Sequence, residues 1–416
     1  MRSPINKEER AKRIAGKPAA ELYPYYGATG QVGVIDGYLT DGEYVLLGED
    51  GAPFLDAFAT KAYLISGKAW VNNHAHVLKS KTNNKFLYYY LNYFNYKGYV
   101  SGTTRLKLTQ AEMKRIPIPD VSIEEQARIV ARIEELFSEL DAGVETLQKI
   151  KRQLTVYRRS VLSDAFEGRM TAQWREKNCK NTEDLVRTAR NKRDSILSSK
   201  RLKKLKYEWK EDIELPNIPR EWEYAQIGDV AWEIKDGPHY SPEYVDEGIP
   251  FITGGNVRPS GVDFDNAKRI SPELHKELSR RCRPEKGDML YTKGGTTGIA
   301  RVNTYDHEFS VWVHVAVIKY VDSVLPAYFQ YVLNSPLCYQ QSQKYTHGVG
   351  NQDLGLTRMI NIIFPLCDVE EQKEIVRELE SRLSVCDSIE KTVDEALQQS
   401  AAMRQSILKQ AFEGGL

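Results

Sequence analysis

The sequence predicts an α+β protein: two β-rich modules joined and separated by two long helices that run antiparallel as a coiled coil. Three observations predict it. The phrase "RRSVLSDAFEG" at 158–168 returns as "RQSILKQAFEG" at 404–414, an offset of 246 residues. The stretches leading into both phrases carry apolar residues at spacings of three and four, the mark of an amphipathic helix or a coiled-coil seam. Upstream of each stripe lie short alternating runs broken by glycine and proline, which read as strands and turns.

Bulk properties fit this picture. A chain of 416 residues exceeds one ordinary core and implies at least two domains. With 41% apolar and 28% charged residues it reads as globular. No apolar run approaches ~20 residues, so no membrane partner is expected. The opening "MRSPINKEERAKRIAGK" is basic but lacks the apolar centre of a signal peptide, so the expected location is cytoplasmic. Five scattered cysteines, with no C-x-x-C pair, fit reduced thiols better than a disulfide framework or a zinc site. The net charge is +1, from 58 basic against 57 acidic residues, so any basic face for nucleic acid must be local.

The first module is expected over 1–119. Its "YPYYGATGQV" (23–32), "VNNHAHVLK" (71–79) and "KFLYYYLN" (85–92) match "IPFITGGNV" (249–257), "VWVHVAVIK" (311–319) and "AYFQYVLN" (327–334) of the second module, expected over 219–365. The second module opens on an aromatic, alternating strand pattern, "EWEYAQIGDVAWEIKDG" (221–237), with no counterpart in the first. Either the first module does without that strand or the start codon chosen here removes it; the second reading is the expectation. The aromatic run "LYYYLNYFNYKGY" (87–99) reads as core at helical spacing, with base stacking as the other use of such rings.

The two long helices are expected over 120–168 and 366–416. Between Pro119 and Gly168 the match to Pro365 through Gly414 needs no gap: Glu124-Glu125-Gln126 meets Glu370-Glu371-Gln372, and Asp141 meets Asp387. Equal length without a gap suits a rigid rod. Ser122 ahead of Glu124 and Glu125 supplies a cap and first-turn acid, and Gly168 and Gly414 stand where a helix stops. The stripe runs Ile129, Ile133, Leu136, Leu140, Val144, Leu147, Ile150, Leu154, Tyr157, Val161. In the second copy it runs Ile375, Leu379, Leu383, Cys386, Ile389, Val393, Ala396, Met403, Ile407, interrupted near Ser400. About 40 residues make a rod of roughly 60 Å. Such a stripe must be covered, by the other copy or by its own module; shared length and register favour the other copy. The linker over 169–218 is highly charged and partly helical in pattern, and reads as a solvated face, with phosphate contact as the sharper alternative.

The glycine-rich and histidine-bearing stretches carry no recognisable enzyme motif. "GATGQVG" (27–33) is not a dinucleotide fingerprint, and "KGGTTG" (293–298) lacks the order of a P-loop. His74 and His76 have no nearby partner to complete a metal set and read as structural. No amino-methyltransferase, helicase or ATPase motif appears, so no catalytic residue and no metal site is assigned.

What remains are polar loops in matching places. "SGTTRLKLT" (101–109) offers Thr103, Thr104, Arg105 and Lys107; "HGVGNQDLGLT" (347–357) offers Asn351, Gln352 and Asp353. His239 and Tyr240 in "KDGPHYSPEY" (235–244) and Lys293 in "YTKGGTTG" are further candidates. Arg, Lys, Asn and Gln can pair with base edges in a major groove, although ordinary polar turns use the same residues. The repeated end phrase offers Arg158, Phe166, Glu167, Arg404, Phe412 and Glu413 as a docking surface presented twice.

Two divergent β-rich modules, each closing on a Pro-containing strand followed by "EEQ..IV", a long helix and "AFEG", resemble the specificity subunit of type I restriction-modification systems. "SVLSDAFEGRMTAQWRE" and "IPFITGGNV…GD…YTKGGTTG" are similar to phrases of that family, over nearly the whole chain; the absent opening strand is the departure. The resemblance implies that each module reads one half of a split double-stranded DNA target. It implies antiparallel helices that set the unread spacer and dock two methyltransferase subunits, with restriction–translocase subunits joining for cleavage. S-adenosylmethionine, Mg and ATP belong to those partners, none being bound by this chain. The competing reading is a non-catalytic coiled-coil assembly protein displaying two β-rich ligand-binding modules.

Overall fold

The computed structural model describes residues 3–178, 184–209, 213–348 and 352–415. The chain divides into two units, one of Met1–Lys151 with Lys391–Leu416 and one of Arg152–Glu390. Two helices of 44 residues dominate, Ile123–Phe166 and Val369–Phe412, and each contributes to both units. No helix among the described residues is long and apolar enough to cross a membrane.

Unit 1 contains β1 (Tyr23–Gly27), β2 (Gly30–Ile35), β3 (Tyr44–Gly48), β4 (Ala62–Ile65), β5 (Trp70–Val71) and β6 (Ala75–Leu78). They form two sheets, ordered β2-β1-β5 and β4-β3-β6. Only the β1–β5 pairing is parallel. Helix Asn84–Tyr93 buries Tyr90 and Leu91 against the second sheet and Phe86 against the long helices, so the aromatic run is core. Asn83 caps it, accepting from the amides of Lys85 and Phe86. At its far end Asn92 fastens it to β4: its Oδ1 accepts from the amides of Lys61 and Ala62, and its Nδ2 donates to the Ala62 carbonyl.

Unit 2 repeats that plan and extends it. Its strands are β7 (Glu223–Gln226), β8 (Ala231–Asp236), β9 (Ile249–Ile252), β10 (Val257–Arg258), β11 (Gly261–Val262), β12 (Lys268–Ile270), β13 (Met289–Thr292), β14 (Ala300–Val302), β15 (Ser310–Val311), β16 (Val315–Tyr320) and β17 (Ile363–Leu366). The sheet β12-β9-β15 mirrors β2-β1-β5, again with its one parallel pair. The sheet β14-β13-β16-β8 mirrors β4-β3-β6 with one strand more. Helix Pro326–Leu333 takes the place of Asn84–Tyr93, and Asn334 grips Ala300 as Asn92 grips Ala62. The extra strand β8 and the strand β7, which pairs with β17, come from the opening pattern that the first module lacks. Residues 117–120, which correspond to β17, accordingly form no strand.

The linker departs from expectation. Helix Leu185–Lys200 buries Val186, Ala189, Arg193 and Leu197 in unit 2, so one of its faces is core. Arg193 donates to Tyr207 Oη at 2.7 Å and to the Gly228 carbonyl, while Lys204 and Arg193 both pair with Asp194. Arg193 and Lys204 are taken up by these internal partners, while Lys200, Arg201, Lys203 and Lys206 stay exposed, as a solvated face would have them.

The two long helices run antiparallel in each unit. In unit 1, Lys151 pairs with Asp394 at 2.7 Å and Arg404 pairs with Asp141; in unit 2, Arg158 pairs with Asp387 at 2.7 Å. The two residue numbers of each pair add to one constant, so each unit by itself shows the same antiparallel register. The Arg–Asp pairs are reciprocal, Arg158 and Asp141 of one copy against Asp387 and Arg404 of the other. Near the ends, Ile129, Val130 and Ile133 pack with Leu408 and Ala411, and Val161 and Ala165 share a core with Ile375 and Leu379. Three stripe residues are misplaced by sequence: Tyr157, Ile389 and Met403 are exposed, and the more shielded positions include Glu390, Leu397, Ser400 and Arg404. A knobs-into-holes seam is set by the 3.5-residue period, and polar residues stand in it where the period requires.

Both helices end on glycine at positive φ, Gly168 at 75° and Gly414 at 84°. The next amide in each case bonds back to the last turn, Arg169 N to Asp164 O at 3.0 Å and Gly415 N to Gln410 O at 2.8 Å, a Schellman closure. A Cβ on Gly168 would also sit 2.4 Å from Pro219 Cγ.

Candidate nucleic-acid interface

The nominated loops sit at the same point of each module, on one shared backbone frame. In unit 1 the residue after β3, Glu49, donates its amide to the His74 carbonyl (2.8 Å) and accepts the Leu108 amide (2.7 Å). In unit 2 the residue after β13, Lys293, donates to the His314 carbonyl (2.9 Å) and accepts the Leu354 amide (2.7 Å). Ser101 and Lys107 exchange backbone bonds at 3.0 and 2.8 Å, as His347 and Asp353 do at 3.1 and 2.9 Å. Gly51 donates to the Leu106 carbonyl and Gly295 to the Gln352 carbonyl, both glycines at φ 71°. The frame therefore repeats while its side chains do not.

In unit 1 the return loop carries exposed polar and basic side chains over the acidic Glu49 and Asp50. Thr103, Thr104, Arg105 and Lys107 all face outward, on a turn made possible by Gly102, whose added Cβ would meet the Arg105 carbonyl at 2.4 Å. Arg105 donates to Asp50 at 3.1 Å, and His74 Nδ1 lies 2.6 Å from the same carboxylate oxygen. Lys107 Nζ stands 3.8 Å from Glu49. His76 is buried, with Nε2 2.9 Å from the Leu108 carbonyl. Among the described residues no group of three or more His, Cys, Asp or Glu is placed to hold a metal ion.

In unit 2 the charges gather on the buried Asp236 at the end of β8. Arg281 donates to it at 2.9 Å, His239 Nε2 lies 3.5 Å away and Lys293 Nζ 3.4 Å. Lys293 also donates to Asp353 at 3.2 Å. Unlike the exposed candidates, the Lys293 side chain is 4% exposed and held between two carboxylates, and reaching a base edge would take it from both. His239, Tyr240 and Gln352 are exposed; Trp312 Nε1 donates to the Tyr240 carbonyl at 3.1 Å. Asn351 lies outside the described residues. Asp236, His239, Tyr240, Arg281 and Cys282 line a cavity of about 350 Å³, and burial pushes the Cys282 thiol up to about 12. Sequence reasoning missed Glu49, which follows β3, and in the other module Asp236, which ends β8, and Arg281, which follows helix Pro272–Ser279.

The end phrase has internal work. Phe166 is 2% exposed, its ring edge-on to Tyr328 of Pro326–Leu333 at 5.5 Å, so that side chain is no exposed docking surface. Phe412 is half-buried, packed on Phe86, Tyr90 and Tyr93 at 5.2–5.5 Å. Each helix end thus seats on the equivalent helix of a module. Glu413 accepts from Tyr93 Oη at 2.8 Å, and burial, aided by that carboxylate, pushes the phenol up to about 12. Glu167 pairs with Arg169. Arg158 also reaches Glu390 at 3.0 Å, and Arg404 lies 4.7 Å over the Phe137 ring.

Such a chain, two variants of one loop-bearing module on reciprocally paired helices, is of the class that presents recognition surfaces on a fixed scaffold. Residues 10–153 and 219–399 match the family described as "Type I restriction modification DNA specificity domain", and the chain belongs to that family. Its members act as specificity subunits, which recognise DNA and perform no catalysis. The Escherichia coli EcoBI specificity subunit is 27% identical over 393 residues, 92% of this chain and 75% of that one. The EcoDI specificity subunit of Escherichia coli is 24% identical over 406 residues, 95% of this chain and 82% of that one. A Haemophilus influenzae chain provisionally described as a type I specificity subunit is 41% identical over 115 residues, 27% of this chain and 29% of that one. A solved structure described as bearing on assembly and conformational transition of the type I R-M system aligns with a TM-score of 0.59 at 16% identity, over 95% of this chain and 92% of that one.

Proposed function

We propose that each module reads one half of a bipartite double-stranded DNA sequence, that the paired helices set the number of unread base pairs between the halves, and that two methyltransferase subunits dock on this chain. The carrying observation is the repeated backbone frame dressed with different side chains: Glu49, Asp50, Arg105 and Lys107 in one module, Lys293, Asp353 and Gln352 in the other. A reader of two different half-sites needs this combination, because the frame sets the approach to the groove and the side chains set the sequence. The reciprocal Arg158–Asp387 and Arg404–Asp141 pairs give one chain the internal two-fold pattern that two identical partners recognise. S-adenosylmethionine, Mg and ATP enter through the methyltransferase and restriction subunits, and the complex works in the cytoplasm.

The test is co-expression with the methyltransferase subunits, followed by sequencing of methylated genomic DNA. An asymmetric motif of two half-sequences around a fixed unread gap is expected; a continuous motif or none overturns the reading. Duplex binding by the purified complex should fall steeply between about 50 and 200 mM salt.

A further inference from the structure

We propose that the residue following the central strand of each module, Glu49 after β3 and Lys293 after β13, is a positioning residue. It fixes the return loop by an ion pair whose polarity is opposite in the two modules. This proposal rests on the reading that the modules recognise DNA. The two positions are equivalent by their backbone bonds, Glu49 to His74 and Leu108, Lys293 to His314 and Leu354. Their ionic partners are equivalent as well: Lys107 and Asp353 each close the return loop by exchanging bonds with Ser101 or His347. In the first module the slot is acidic and the loop basic, 3.8 Å apart; in the second the slot is basic and the loop acidic, 3.2 Å apart.

Lys293 binds more than the return loop. Through Asp236 it also holds the start of the His239–Tyr240 segment, so both candidate loops of the second module meet on one ammonium group. The neighbouring position has diverged to suit. Asp50 in the first module is Gly294 in the second, and a Cβ there would lie 1.9 Å from His314 Nδ1. The His314 ring therefore excludes at 294 any side chain such as the Asp50 carboxylate, which lies 2.6 Å from His74 Nδ1 in the first module. Slot, neighbour and return-loop residue therefore change together, and they form the unit by which one half-site preference is exchanged for another. Neither slot side chain needs to touch a base; each decides which charge the exposed loop can carry.

The experiment uses the full chain co-expressed with its methyltransferase subunits, reading the methylated motif of the host genome. Glu49→Lys is expected to degrade one half of the motif, with on the order of tenfold or greater loss of discrimination, while the other half stays intact. Glu49→Lys combined with Lys107→Asp installs the second module's polarity in the first, and is expected to restore a defined sequence at that half. Lys293→Met is expected to degrade the opposite half only, and Asp353→Asn, at a half-exposed side chain, gives the same readout where the buried change prevents folding. A double variant no better than Glu49→Lys alone overturns the proposal, as does an unchanged motif in Lys293→Met and Asp353→Asn. A wild-type complex with no bipartite motif overturns the DNA reading itself, which the other outcomes leave standing.

Discussion

Glu125 and Glu371 occupy the same place in the internal repeat and have opposite surroundings. Glu125 stands on the surface, its carboxylate paired with Arg128 one turn along at 2.7 Å. Glu371 is fully buried, accepting from Thr171 Oγ1 at 2.7 Å, Arg175 Nε at 2.9 Å and Trp222 Nε1 at 2.8 Å. The difference runs through the neighbourhood: Ile118 is 45% exposed where its counterpart Phe364, on β17, is 0% exposed. Thr171, Arg175 and Trp222 lie in the linker and the opening segment, which cover the second module. A repeat in sequence thus repeats a helix, while the burial of each residue depends on what the rest of the chain lays over it.

That contrast breaks most clearly by removing both carboxylates in turn. Glu371→Ala leaves a buried guanidinium and an indole N–H without their acceptor and is expected to cost about 3–5 kcal/mol. Glu125→Ala is expected to leave the unfolding midpoint unchanged within error. Denaturant melts of the full chain check both, and similar losses from the two would show that the repeat carries its environment with it.

Where the modules do agree, substitution should hurt equally. Asn92→Ala and Asn334→Ala each strip the bonds that tie a helix to its sheet, so each is expected to cost about 1–3 kcal/mol. A cost confined to one of them would mean that the shared frame is load-sharing in that unit alone. Urea unfolding of the two variants makes the comparison directly.

The sequence announced what is local. Equal 44-residue helices follow from an acid-rich first turn, an apolar stripe and a terminal glycine. The missing strand was legible because "EWEYAQIGDVAWEIKDG" alternates openly, and it became β7 and β8. The exact seam was not, since Ile389 and Met403 are apolar yet fall off the interlocking period, while Arg404 falls on it. The site was half legible. Exposed Arg105 and Lys107 could be picked from a polar turn, but the burial of Lys293 depends on Asp236 and Asp353, which lie 57 residues before and 60 after it. Nothing local to "YTKGGTTG" states that two carboxylates will converge there.

The smallest expected effect tests the reciprocity of the rods. Double-mutant cycles on Arg158 with Asp387 and on Arg404 with Asp141 should each give a coupling of about 0.5–1 kcal/mol, since both pairs are partly solvated. Raising salt should shrink both couplings together. The single substitutions should then part company. Arg158→Ala also loses Glu390, an ionic contact that salt weakens. Arg404→Ala also loses the Phe137 ring, a cation–π contact that includes dispersion and packing and is less sensitive to salt. The cost of Arg158→Ala should therefore fall further between low and high salt than that of Arg404→Ala. Equal falls would mean that Phe137 contributes nothing and that the two-fold pattern extends beyond the Arg–Asp pairs into the contacts around them.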